Sequence, residues 1–379
     1  MQKVTHGQIR RKNRQLLLRI IYNGLANSRV DLANETGLAK PTVSDLIGEL
    51  IDEGYLVETG FGQSTEGGGK RPRLLKFVPG ARHVIGISLS GERALGVLSD
   101  LDGQVLVHHF RDLDGAQGEF VLEILSEVIN GLLAQQSAPL LSIGVGVPGL
   151  VDSQSGYVRS APYLGWENIP LADMLARSYE VPVHIANSTE LAAMAQYAFS
   201  EINGANNLVT VLVNENVGFG VVLDGAIYHS GSDMGRLRVS PGESDLETHL
   251  GWQYVRRKAL PLESKYVKRQ LSGDKLTYLH IREAIAEQEP LAAALQDELA
   301  GYLAQIFSWT FALLRPDHIS LAGGIADMGQ PFLESVIEKT RALVWPDEMS
   351  TVSFSLDNAS NLVAIGAVAQ ILQKELGLI

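Results

Sequence analysis

Lys70, Arg71 and Arg73 stand together in the run EGGGKRPR, directly after three glycines. Glycines let a backbone approach a nucleic acid closely, and clustered cations can neutralise phosphates or enter a minor groove. Upstream, Lys40, Pro41, Thr42 and Ser44 open a run in which Val43, Leu46, Ile47, Leu50 and Ile51 fall on one helical face, so that Lys40, Thr42, Ser44, Asp45 and Glu49 turn outward. These are residue types that contact base edges and phosphates. Pro41 fits the first turn of such a helix, where a missing N–H costs nothing. Arg10, Arg11 and Arg14 form a third basic group, suited to clamping phosphates.

The elements that must carry these residues follow from the apolar spacing. Leu16, Leu17, Ile20, Ile21 and Leu25 predict an amphipathic helix over Asn13 to Leu25. A short helix from Val30 to Thr36, started by Ser28 and stopped by Gly37, leads through a tight turn into a third helix, Ala39 to Glu53. Helix, glycine turn, helix is the helix-turn-helix arrangement. The strands YLVETG and LLKFV flank the glycine-rich turn, making a basic hairpin. Residues 1–80 are therefore expected to form a winged helix-turn-helix head. A solvated basic loop beside an ordinary three-helix core is the plainer alternative, and it does not explain why all four pieces stand in this order.

Charge divides the chain in the same place. Up to Arg82 there are 13 Lys or Arg against 8 Asp or Glu, leaving 18 against 35 for the remainder of a chain whose net charge is -12. A basic head on an acidic body suits a protein of which only the head approaches phosphate. Cysteine is absent, which excludes disulfides, thiolate nucleophiles and Cys-ligated zinc. No run approaches the ~20 apolar residues that span a bilayer, so a cytoplasmic protein is expected. After Pro79 and Gly80, three strand-like runs (Val84 to Leu89, Ala94 to Ser99, Gln104 to His109), a helix from Gly118 to Gln135 and the strand LSIGVGVPGLVD open an α/β body. Further strands are read in VPVHIAN, NNLVTVLVN, VGFGVVLDG and HISLAGG, with helices at Leu171 to Tyr179, Glu190 to Ala198, Leu291 to Leu314 and a C-terminal NLVAIGAVAQILQKEL.

These pieces in this order, from VIGISLSGERALGVLSDLDG through PGLVD, APYLGWENIPL and VHIANSTELAA to RPDHISLAGGI and IGAVAQIL, resemble the ROK family of repressors and sugar kinases. The resemblance implies a two-lobed actin-like, hexokinase-like (ribonuclease H-like) ROK domain behind the winged head. Its small lobe would span 81–185, completed by a C-terminal helix over 362–379, and its large lobe 186–361. It also implies a repressor of carbohydrate genes that binds a double-stranded DNA operator as a homodimer or homotetramer and answers to a sugar or an anionic sugar derivative. A sugar kinase with a vestigial head, or a regulator answering to a protein partner, are the alternatives.

Departures from the family pattern weigh against kinase chemistry. Ser88, Leu89, Ser90, Gly91 and Glu92 stand where the kinases have D-x-G-G-T, and Asn214, Glu215, Asn216, Val217 and Gly218 stand where they have G-T-G-x-G. Carboxylates at phosphate positions repel what a kinase must stabilise. Ser188 replaces the Asp that serves as base. The zinc motif is missing, His229 and His249 being lone histidines, so neither a cofactor, a metal nor a catalytic residue is expected. The resemblance implies an effector site at Gly149 of the PGLVD loop, Asn187, Ser188, Arg236 and Glu247. Arg236 can bind an anionic effector in bidentate fashion or pair with Glu215 or Glu247. Trp166 can cover a ligand or cap the lobe interface, and Gly323 and Gly324 can form a strand-to-helix turn.

Overall fold

The computed structural model describes residues 5–62, 71–200, 205–229, 234–240, 242, 244–266, 276–345 and 349–379. The head consists of α1 (His6–Tyr22), α2 (Arg29–Thr36), α3 (Lys40–Asp52) and the antiparallel pair β1 (Leu56–Phe61) and β2 (Arg73–Phe77). The first helix starts earlier than its apolar stripe, because Thr5 and Gln8 close a capping box ahead of a polar first turn. Ser28 caps α2, and Gly37, at φ 67°, ends it in the left-handed region that favours glycine. Leu17, Leu32, Val43, Ile47 and Leu50 are fully buried between the three helices.

Behind the head, β3 (His83–Leu89), β4 (Arg93–Ser99), β5 (Val105–Asp112), α4 (Glu119–Leu133) and β6 (Leu140–Val147) begin the body. A small sheet of β7 (Leu150–Asp152), β8 (Tyr157–Ala161) and β9 (Trp166–Ile169) follows, then α5 (Leu171–Tyr179) and β10 (Val183–Asn187). The second half runs α6 (Ser188–Phe199), β11 (Leu208–Val213), β12 (Val217–Leu223), β13 (Ala226–Tyr228), α7 (Leu246–Leu250), α8 (Trp252–Tyr266), α9 (Tyr278–Ala286), α10 (Pro290–Leu314), β14 (His318–Ala322), α11 (Gln330–Arg341), β15 (Ser353–Asp357) and α12 (Leu362–Ile371).

Two five-stranded sheets result, ordered β10-β6-β3-β4-β5 and β13-β12-β11-β14-β15. In each, three successive antiparallel strands are extended by two parallel ones on the side of the first strand. The same plan is therefore built twice, a repeat that no short sequence period announces. Its parallel strands, buried on both faces, read as continuous apolar runs such as LVTVLV. The last strand of the first sheet continues to Asn187, two residues beyond the expected lobe boundary.

Helices α6 and α12 lie against each other between the two sheets. Gly86 of β3 receives the backbone of Ala364, Gly220 of β12 receives that of Thr189, and an added Cβ on Gly366 would fall on the Leu191 carbonyl oxygen. Only bare backbones come this close, so Gly366→Ala, placed against unyielding backbone, should destabilise the protein by about 1–3 kcal/mol. A urea denaturation midpoint unchanged from the parent would contradict this packing.

Candidate functional site

Lys40, Pro41 and Ser44 are exposed on α3 and Thr42 is half-buried, while Val43, Leu46, Ile47 and Leu50 pack inward. No side-chain hydrogen bond or ion pair engages Lys40, Thr42 or Ser44 among the described residues. Lys70 lies outside the described residues. Arg71 is exposed at the foot of the hairpin. Arg73, one residue into β2, is engaged: Glu58 accepts from it and, at 2.7 Å, from Arg29, and these two hydrogen bonds hold the Glu58 carboxyl below the usual range.

The three arginines of α1 are placed differently from the phosphate clamp the sequence suggests. Arg10 donates to Glu49, Arg14 donates to both carboxylate oxygens of Glu53, and Arg11 reaches Glu375 at 3.2 Å and the Lys374 carbonyl at 2.9 Å. Arg10 and Arg14 are four residues apart on α1, as Glu49 and Glu53 are at the end of α3, so both pairs form along one helix seam. These cations tie α3 to α1 and α1 to the C-terminus. That i, i+4 match was the available sequence signal.

Head and body share one apolar cluster. Leu372, Leu376 and Leu378 join Leu17, Leu18, Leu50 and Leu75 of the head, with Val84, Val97 and Leu101 from the first sheet. Gln15 donates to the carbonyls of Lys374 and Glu375, and His184 of β10 meets Glu375 Oε1 at 2.8 Å. A cleft of about 1470 Å³ lies beside this junction, bordered by Arg11, His184, Glu190, His229, Lys374 and Glu375. His229 Nδ1 is 2.8 Å from Glu190, whose hydrogen bond pushes the His229 pKa up. His249 stacks on Tyr302 at 4.5 Å, and no group of metal-ligating residues occurs among the described residues.

Between the lobes, the Asn187 amide donates to the Gly149 carbonyl at 2.6 Å and its oxygen accepts from the Thr189 N–H and hydroxyl, capping α6. Ser188 is buried, its hydroxyl without a partner among the described residues. Glu247 accepts from the Tyr163 hydroxyl at 2.8 Å, which joins the two lobes; burial first, then this bond, raises the tyrosine pKa. Arg236 is exposed, and its charge, with that of Arg238, adds to the Thr248 hydrogen bond that holds Asp245 below the usual range. The sequence brings Gly149, Asn187 and Thr189 together around a space of about 10 Å³, room for no more than one water. Trp166 neither covers this space nor caps the interface: it is buried in the first lobe, donating to the Gly118 carbonyl at 2.9 Å. Gly323, at φ 88°, ends β14 where a side chain would strike the Val213 carbonyl, and Asn214 accepts from the Gly324 N–H at 2.7 Å. Tyr163, Glu375, His184 and Gln15 were not among the expected site residues. Their roles arise from contacts between segments far apart in the chain.

Comparison with known proteins places this geometry. Residues 84–244 match the ROK family. A xylose repressor of Caldicellulosiruptor bescii is 32% identical over 227 residues, 59% of this chain and 56% of that protein, so the chain spans little more than half of that relative's length. The DNA-binding transcriptional dual regulator NagC of Escherichia coli is 25% identical over 360 residues, 90% of this chain and 87% of NagC. Among solved structures, a ROK family transcriptional regulator described as a homologue of the E. coli MLC protein superposes with a TM-score of 0.80 at 22% identity, covering 97% of this chain and 98% of that one. A ROK family glucokinase from Streptomyces griseus covers 76% of this chain and 98% of its own, with a TM-score of 0.66 at 20% identity. The two-lobed actin-like, hexokinase-like fold is thereby shown.

The carboxylate at the junction gives a pH test. Hydrogen bonding from His184, assisted by Arg11 and Lys374, lowers the Glu375 pKa below its ordinary 4.5. A depressed carboxylate contributes stability that is complete above the ordinary value and lost as pH falls through the lowered one. Glu375→Gln should therefore cost about 1 kcal/mol at pH 7, with the gap to the parent narrowing below pH 4.5. Chemical denaturation at a series of pH values measures this, and a gap independent of pH would exclude the ion pair as its source.

Proposed function

We propose that this chain is a sequence-specific DNA-binding transcriptional repressor of carbohydrate genes, controlled by a sugar or sugar-derived effector and without kinase activity. It acts in the cytoplasm as a homodimer or homotetramer on a two-half-site operator, with α3 in the major groove. The carrying observation is the division of labour in the head: Lys40, Thr42 and Ser44 are unengaged among the described residues, whereas Arg10, Arg14 and Arg73 are held by carboxylates. Relatives named as repressors support the same reading.

Control runs through α12. Its first turn lies in the glycine-lined contact with α6, where Asn187 and Gly149 meet, and the turn that follows it holds α1. A sugar needs far more room than the space now present at Asn187, so binding there requires the lobes to part. Parting them moves α6 against α12 and changes the spacing of paired heads. Such coupling is typically worth ~1–3 kcal/mol, a 5- to 150-fold change in affinity.

Kinase chemistry is disfavoured by the same residues. Ser188 has no base to take its proton among the described residues, and Glu92 and Glu215 stand where the kinases of the family hold phosphate. Sugar-dependent ATP consumption by the purified protein would overturn this part of the proposal.

DNA binding is tested by salt titration. Arg71→Ala should weaken operator binding and reduce the slope of log K against log salt by ~1, since one phosphate contact is lost. Arg10→Ala, which removes an internal ion pair, should leave the slope unchanged while loosening the head. Equal slopes for the parent and Arg71→Ala would remove the hairpin from the interface.

A further inference from the structure

A second cleft, separate from the space at Asn187, opens between the β3–β4 turn and the second lobe with a volume of about 310 Å³. Among the described residues its wall has three carboxylates, Glu92, Glu215 and Asp327, against a single guanidinium, Arg256, which is exposed. The rings of Trp252 and Tyr278 meet there with centroids 4.6 Å apart. We infer that this cleft binds a small organic ammonium ion, held between Glu92 and Glu215 beside the Trp252 and Tyr278 rings.

Each part of the wall favours a cation. Aromatic faces attract ammonium groups through the ring quadrupole, most strongly where water is excluded. Neither Glu92 nor Glu215 forms an ion pair among the described residues. Burial pushes the Glu215 carboxyl up against the pull of a backbone hydrogen bond, and the charge of Glu92 adds to the rise, so an ammonium ion placed beside it would favour its charged form. The Tyr278 hydroxyl is also unsatisfied: the residue is 4% exposed, lines the cleft, and its oxygen has no hydrogen-bond partner among the described residues. It offers an acceptor to an N–H donor. Asp327 keeps one oxygen on Asn358, at 2.9 Å, and presents the rest of its charge.

The placement across the fold adds a consequence. Glu92 belongs to the first lobe, while Glu215 and Asp327 follow strands of the second sheet. Without a cation their repulsion favours separation of the lobes. A bound ammonium shared between them favours closure, opposing an effector that needs the lobes apart.

Putrescine is a suitable probe, with 1,4-butanediol as its uncharged match and AMP as a nucleotide, each titrated calorimetrically into the full-length protein at matched ionic strength. The expected result is saturable binding of putrescine, none of butanediol or AMP, and weakening by at least about tenfold in both Glu92→Gln and Glu215→Gln. Glu92 is exposed in a turn, so its variant keeps the test valid if Glu215→Gln does not fold. Absence of saturable putrescine binding, affinity unchanged from the parent in either variant, or preference for AMP would each overturn the assignment.

Discussion

The contact between Gly366 of α12 and the Leu191 carbonyl of α6 is the constraint on which the rest of the structure depends. Here the two helices sit between the two sheets with their backbones nearly touching. Small residues allow this on both sides: Ala364 and Ala367 against Gly86 and Gly144, and Thr189 and Ala193 against Gly220. Such a seat has little slack, because close-packed interiors respond to displacement by moving whole elements. The helix pair is accordingly a joint. Each helix packs on its own sheet, α12 on β3 and β6 and α6 on β11 and β12.

The joint matters beyond the body because α12 does not end at the sheet. Leu372, Leu376 and Leu378 continue into the core of the head, and Glu375 collects Arg11 and His184 while Gln15 binds the adjacent carbonyls. One element thus touches the place where a ligand would act on the lobes and α1, the helix packed against α3. Apolar burial gives this junction its strength, and the ion pairs, partly exposed, give it orientation.

Electrostatics in the head follow from the same economy of contacts. A naive count offers a broad cationic face, yet Arg10, Arg14 and Arg73 are held by Glu49, Glu53 and Glu58. Among the described residues, Lys40 at the start of α3 and Arg71 keep their cations free of such carboxylates. In the body the reverse holds, since Glu92 and Glu215 stay without cationic partners among the described residues.

Much of this was legible in the sequence. The 3.6-residue spacing of Val43, Leu46, Ile47 and Leu50, with Gly37 before them, fixed α3 and its outward face, because local periodicity and turn chemistry decide such a helix. Apolar runs set most strands of both sheets, and the missing phosphate glycines and base were visible as residue types. What local sequence did not reveal were the partners. Arg10 and Arg14 read as free cations until α1 and α3 were laid side by side; Trp166 read as a ligand cover or an interface cap until Gly118 took its N–H. Asn187 was legible as a polar residue at a strand end, and only the fold showed its amide engaged with Gly149 and Thr189. Residue type determines what a side chain can do, a local property. Which charges and hydrogen bonds are already taken depends on segments brought together from across the chain, and that is decided by tertiary structure alone.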